Sequence, residues 1–294
     1  MIGFYLKDKD GFKKVENFQT NCWIKIESPN DKELESISEE YSLNQDLLID
    51  GLDTHEIPRF EIDNKNFYIY VRVPSALDDE QKSTYTFLII LGSKFTITIS
   101  KEKIPVEILT FVSQENTEIF THFLTQIIVI YNKSLGMIGK QIRRLRIHPE
   151  RVREVDILGF VKQESILNDY VSSLIPLVDI YKKLEKRTDK DEDEIEDLKL
   201  ATEQLINSCK SNLKTIVNLR EAYSALATNN LNQVIKLLTA LTILLTVPTI
   251  VASIFGMNVV LPLADSPHAF SLIIFITILI SAVILIFFKL RKWL

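Results

Sequence analysis

Five hydroxyl side chains, Thr239, Thr242, Thr246, Thr249 and Ser253, recur at steps of 3, 4, 3 and 4 within an apolar stretch. That spacing puts all five on one face of a helix at a period near 3.5. They sit within Leu237–Phe255, nineteen residues without an ionisable side chain, long enough to cross a hydrocarbon core of roughly 30 Å. A hydroxyl line down a spanning helix must face something other than lipid, either other helices or water in a lumen. Hydroxyls in membrane helices also bond back to their own i−4 carbonyls or tie helices together, the ordinary account of one or two of them. Five on one line, in a chain with a single further spanning segment, point instead to a pore. Extending the same steps backwards reaches Ile235 and Asn232. Two crossings cannot enclose water by themselves, so the pore requires several copies around an axis, and a cyclic ring supplies them.

The rest of the chain must position that line. The second spanning segment, Ala269–Phe288, is also uncharged, and its Ser271, Thr277 and Ser281 form no comparable line, so it is expected outside, against lipid. Lys289, Arg291 and Lys292 follow at once, with Trp293 as an interfacial aromatic. Positive charge at a membrane end marks the cytoplasmic side. With two crossings, both termini are then cytoplasmic, in the cell inner (plasma) membrane, with 259–268 as a short external loop. The 294 residues carry 34 basic and 39 acidic side chains, net −5. From Leu237 onward there are three cations and one anion, Asp265, so the acidic excess lies in the preceding segment. An acidic soluble part argues against nucleic acid as a partner. Cys22 and Cys209 lack disulfide or metal-ligand spacing, and the charged first thirty residues do not read as a signal peptide.

Residues 1–112 read as a mixed α/β domain. Cys22–Ile26 alternates as a strand, and the stretch Ser28-Pro-Asn-Asp-Lys-Glu33 supplies capping chemistry before a helix of Leu34, Ile37 and Tyr41. Phe67, Ile69, Val71 and Val73 alternate against Tyr68, Tyr70 and Arg72. Strands Tyr85–Leu91 and Lys94–Ser100 are joined by Gly92-Ser93, a hairpin signal. No Gly-rich phosphate loop, His pair or Ser/His constellation stands here, and His55 reads as a lone surface histidine, so no enzyme is expected.

Residues 113–236 read as a long-helix stalk, with helices at about 114–147, 150–187 and 190–236. The third steps inward through Ile195, Leu198, Thr202, Leu205, Cys209, Asn212, Ile216, Leu219, Tyr223 and Leu226, and no proline interrupts it before Pro248. It is expected to run on into the first crossing, 237–258, with 190–236 alone giving a rod of ~70 Å. The basic residues around the first turn, among them Arg143, Arg144, Arg146 and Arg151, are expected near anionic headgroups.

Phe255 followed by Gly256, Met257 and Asn258, at the end of the first of two C-terminal crossings and closing on the basic tail 289–294, resembles the CorA-type magnesium channels, the two-crossing Gly-Met-Asn family. The resemblance spans nearly the whole chain and implies an α+β cytoplasmic domain, long stalk helices and two C-terminal transmembrane helices in a funnel-shaped homopentamer. It implies that the Gly256 carbonyl and the Asn258 side chain receive a hydrated ion at the outer mouth, with Met257 structural. The family's pore-lining positions fall on Asn232, Ile235, Leu238 or Thr239, Thr242, Thr246, Thr249 and Ser253, which is the hydroxyl line and its extension. Ile235 and Leu238 are where an apolar ring could gate by dewetting. The family's regulatory magnesium site falls on Asp197, with its partner near Asp78 or Asp79.

Magnesium is thus expected as transported ion and regulatory ligand, with cobalt and nickel as further substrates and no organic cofactor. The external loop lacks the Glu often found after the motif and keeps only Asp265. Two alternatives stand beside the channel: a ZntB-like zinc transporter, and a membrane-anchored helical scaffold that transports nothing.

Overall fold

The computed structural model describes residues 2–8, 11–75, 83–105, 108, 119–147, 154–185, 192–258, 268–291 and 293. They fall into two compact units, Met1–Leu219 and Arg220–Leu294. The first holds strands β1 (Ile2–Asp8), β2 (Gly11–Val15), β3 (Cys22–Glu27), β4 (Arg59–Asp63), β5 (Asn66–Pro74), β6 (Thr84–Leu91) and β7 (Phe95–Ser100). Its helices are α1 (Asp31–Tyr41), α2 (Gln45–Asp50), α3 (Ile119–Ile147), α4 (Glu154–Glu185) and the first part of α5 (Glu192–Phe255). The second holds the rest of α5 and α6 (Ala269–Leu290). The expected headgroup-facing turn at 148–153 lies outside the described residues.

The seven strands form one sheet in the order β2-β1-β3-β7-β6-β5-β4. Every pair is antiparallel except β3 with β7, which run parallel with Ile24 opposite Ile97. The alternation on β5 divides the core into two layers. Ile69, Val71 and Val73 join Trp23, Phe87 and Ile89 beneath α3 and α4, against Phe123, Ile127, Tyr131 and Leu174. Tyr68 and Tyr70 point the other way, into a second core with Leu88, Ile90, Ile97, Leu34 and Leu48. Both faces of the central strands are therefore dry, which explains why Phe87–Leu91 of β6 is an unbroken apolar run. Inside this core Trp23 Nε1 donates to Thr98 Oγ1 at 2.8 Å. Buried His122 lies 3.3 Å from the Ile108 carbonyl, and burial holds its pKa below the ordinary histidine value.

Helix α1 opens with a complete capping box, Asn30 Oδ1 accepting from the Glu33 amide and Glu33 returning the bond. The hairpin between β6 and β7 has a three-residue connection, Lys94 belonging to the turn rather than to the strand. There a side chain at Gly92 would stand 2.4 Å from the Phe95 ring, so only glycine lets the ring fold back. Three strands lie outside those expected from the sequence. β1 and β2 lie at one end of the sheet, where Lys7, Lys13 and Lys14 interrupt the alternation. β4 is tied to β5 by Asn64 and Lys65, both with positive φ, a primed turn without the usual glycine.

Along α5, Ile195, Leu198, Thr202, Leu205, Cys209 and Ile216 are buried, Asn212, Leu219 and Tyr223 are partly covered, and Leu226 is exposed. Burial fades near Leu219, where the first unit ends. Cys22 and Cys209 are buried free thiols, and burial pushes Cys209 up to about 12.

Candidate ion pathway

Helix α5 continues through Pro248 to Phe255 without a break. Pro248 has no amide hydrogen, so the i−4 bond to the Leu244 carbonyl is missing there. The helix ends on Gly256, whose amide donates to Ala252 O at 3.0 Å, and Met257, whose amide donates to Ile254 O at 3.3 Å. A side chain at Gly256 would lie 3.2 Å from the Ala252 carbonyl oxygen, tighter than an ordinary contact. Gly256, Met257 and Asn258 are all exposed at this helix end. Asp265 lies outside the described residues.

Within the second unit, α5 and α6 enclose an apolar groove. On the α5 side it is lined by Leu244, Pro248, Val251, Ala252 and Phe255. None of the five hydroxyl residues lines it. At 3.6 residues per turn the hydroxyl residues occupy an arc of about 80°, centred roughly 160° from the groove-lining residues. The hydroxyl face is thus turned away from the chain's own second crossing. Thr239, Thr242, Thr246, Thr249 and Ser253 are exposed, as are Asn232, Ile235 and Leu238 on the same line.

Three of the hydroxyls have a defined orientation. Thr242 donates to Leu238 O at 2.8 Å, Thr246 to Thr242 O at 2.7 Å and Thr249 to Leu245 O at 2.9 Å. The self-bonding that is the ordinary fate of membrane hydroxyls therefore occurs here, but it consumes only the proton. Each oxygen keeps lone pairs and faces outward as an acceptor. Thr277 on α6 makes the same bond, to Ile273 O at 2.8 Å, yet it lines the groove instead.

Both α5 and α6 contain windows long and apolar enough to cross a membrane, 6% and 0% buried respectively. That exposure is unlike a soluble core helix. At the end of α6, Arg291 sits 5.7 Å over the Phe287 ring and Trp293 stacks on Phe288 at 5.4 Å. Lys289 is exposed, and Lys292 lies outside the described residues.

The regulatory positions are less developed. Asp197 is exposed on α5 in the first unit, whereas Asp78 and Asp79 lie outside the described residues. Among the described residues no three His, Cys, Asp or Glu side chains are grouped to hold a metal. The cavity beside Arg72 was not anticipated from the sequence, because its lining comes from segments far apart in the chain.

Comparison with known proteins gives these features a context. The chain is 27% identical to the cobalt/magnesium transport protein CorA of Methanocaldococcus jannaschii, over 92% of this chain and 90% of that protein. The solved complete structure of the CorA magnesium transporter from the same organism superposes with a TM-score of 0.86 at 23% identity, covering 100% of this chain and 99% of that one. The ZntB cytoplasmic domain from Vibrio parahaemolyticus shares the fold at a TM-score of 0.62 and 11% identity, over 77% of this chain and 98% of its own. That likeness extends to the fold and gives the zinc alternative no further support. The family model for CorA-like Mg2+ transporter proteins matches residues 18–291, and the chain belongs to that family.

Proposed function

We propose that the protein is a divalent-cation channel admitting magnesium, with cobalt and nickel as further substrates, down the electrochemical gradient. Several copies, a homopentamer by family likeness, surround a path lined by Asn232, Ile235, Leu238, Thr239, Thr242, Thr246, Thr249 and Ser253. The observation that carries this reading is the hydroxyl face of α5 turned away from α6. A chain that leaves its polar membrane face uncovered needs other copies, and the water between them, to cover it.

The chemistry follows from what magnesium resists. It gives up its water reluctantly, so selection through the hydration shell avoids stripping it. Coordinated waters turn their hydrogens outward, and the lone pairs of Thr242, Thr246 and Thr249 accept them. The Gly256 carbonyl and the Asn258 amide do the same at the mouth without fixed charge, so a divalent ion is held shallowly and can leave. The membrane potential contributes ~2.3 kcal/mol per charge per 100 mV, twice that for magnesium, so no other energy source is needed.

Ile235 and Leu238 form the apolar constriction toward the cytoplasmic end, and Lys289, Arg291 and Lys292 hold that end inside, with both termini in the cytoplasm of a cell bounded by the inner (plasma) membrane. Asp197, with Asp78 or Asp79 of a neighbouring copy, takes magnesium as the regulatory ligand that closes the channel. The Asp197→Ala variant is then expected to lose magnesium protection against proteolysis.

Flux of magnesium into liposomes through the purified wild type and the Asn258→Ala variant tests the proposal. Transport is expected in the first and loss of most of it in the second, with no dependence on a proton gradient. Equal flux in both sinks the filter assignment, and no flux in either leaves the scaffold reading.

A further inference from the structure

Within the Met1–Leu219 unit a cavity of about 500 Å³ opens between the Thr54–Pro58 segment, the β5–β6 strands at Arg72 and Thr84, and one face of α4. Its size falls among small-molecule sites, roughly 300–1,000 Å³. Arg72 is fixed on the sheet side by three hydrogen bonds. Its Nε donates to Thr84 Oγ1 at 2.7 Å, and its terminal nitrogens donate to the Glu56 and Thr84 carbonyls, each at 3.1 Å. A guanidinium has five N–H groups, so two remain without a partner among the described residues. A half-buried arginine locked in place with donors to spare is built for a carboxylate or phosphate oxygen.

The surrounding charges are arranged in keeping with that role. Glu56, which also lines the cavity, directs its carboxylate to Arg59, which it shares with Asp50 and Glu61, and gives Arg72 only its backbone carbonyl. On α4, Lys162 and Asp169 both line the cavity, and among the described residues neither enters an ion pair. They stand seven residues apart, two turns along one helix face and about 10 Å of rise. An ionised carboxylate only accepts, so a ligand group beside Asp169 must donate. Ser165 and Ser172 lie on the same lining and can donate or accept. A metal ion fits poorly, since the cavity presents two cationic side chains and the described residues hold no ligand cluster.

We propose that this cavity binds a small hydroxylated organic anion, its charged head on Arg72 and Lys162 and its hydroxyls on Asp169, Ser165 and Ser172. The head is either a phosphate on a sugar or the carboxylate of a hydroxy acid. Calorimetric titration of the full chain in detergent distinguishes these, with ribose 5-phosphate, citrate and inorganic phosphate as probes and no divalent cation present. Leaving out the cation makes the outcome independent of the transport reading.

One of the two organic anions is expected to bind at least about tenfold more tightly than inorganic phosphate. Lys162→Ala and Asp169→Asn are each expected to weaken that binding by about tenfold, and Lys210→Ala, on α5, to leave it unchanged. Both substituted side chains are exposed and form no ion pair among the described residues, so the variants are expected to keep the wild-type circular dichroism and melting temperature. The proposal is overturned if neither organic anion binds, if inorganic phosphate binds as tightly as both, or if Lys162→Ala titrates like the wild type.

Discussion

The two parts of α5 follow the same 3-and-4 stepping and meet opposite fates. Up to Leu219 the inward positions, such as Ile195, Leu205, Cys209 and Ile216, are covered by the chain's own helices and sheet. Beyond it, positions at the same spacing are uncovered, including Thr242, Thr246 and Thr249. One chain completes its own core in the first unit but leaves the polar face of the second open. Periodicity alone does not separate the two cases. The side-chain chemistry on the repeating face leans one way in each part: mostly apolar, with Thr202 buried among it, where the chain covers itself, and hydroxyl-bearing from Thr239 to Ser253 where it does not.

The largest way to break this contrast is to empty one core and leave the other surface alone. Phe123→Ala removes a fully buried ring stacked among Trp23, Phe12 and Phe87 and is expected to cost about 3–5 kcal/mol. Leu245→Ala, on an exposed position of the spanning part, is expected to change the melting temperature hardly at all. Equal losses in thermal unfolding would mean that the spanning part is packed within the single chain as tightly as the soluble one.

Water access sharpens it next. Thr246→Cys is expected to react with a membrane-impermeant cationic thiosulfonate in liposomes, whereas Ile278→Cys, lining the groove, stays unmodified. Cys22 and Cys209, buried and with raised thiol pKa values, do not compete for the reagent while the protein is folded. Modification of Ile278→Cys but not of Thr246→Cys would reverse the assignment of faces.

Smaller again is the loss of a single acceptor. Thr246→Val keeps the shape and removes the oxygen, so magnesium flux is expected to fall a few-fold, on the order of 1 kcal/mol in barrier. The mildest effect belongs to the self-contained core. Burial lowers the His122 pKa in the folded state, so the unfolded chain binds the proton more readily. Stability is then fully present above the ordinary histidine value near 6.5 and is lost as pH falls through the folded value. Melting temperatures measured between pH 7 and 5 are expected to decline in the wild type and to decline less in His122→Asn.

How far the sequence alone reached follows the same division. The β5 alternation was legible because each face of that strand meets a different apolar layer, and the polar stretch Ser28–Glu33 announced α1, within which the structure picks out Asn30 and Glu33 as the capping pair. β1, β2 and β4 were not, since the adjacent Lys13 and Lys14 break β2 and a turn built on Asn64 and Lys65 lacks the usual glycine between β4 and β5. The hydroxyl line could be found by counting, because a helix is a local object. That it points away from α6 could not, since that depends on how two segments separated by a loop come together. The Arg72 cavity lay beyond reach for the same reason, its walls being set by the sheet and α4 meeting.

The orientation of the threonine protons has one more consequence. With hydrogen already given to the backbone at Thr242, Thr246 and Thr249, that wall is a surface of electron pairs with no hydrogen to offer. A magnesium ion turns both hydrogens of each bound water outward, whereas a chloride ion takes one of them and leaves the oxygen facing out beside the other, so it finds fewer partners on such a wall. Around the path proposed above, the uncharged stretch Leu237–Phe255 would then tell ions apart by sign, reading it from which way the water points.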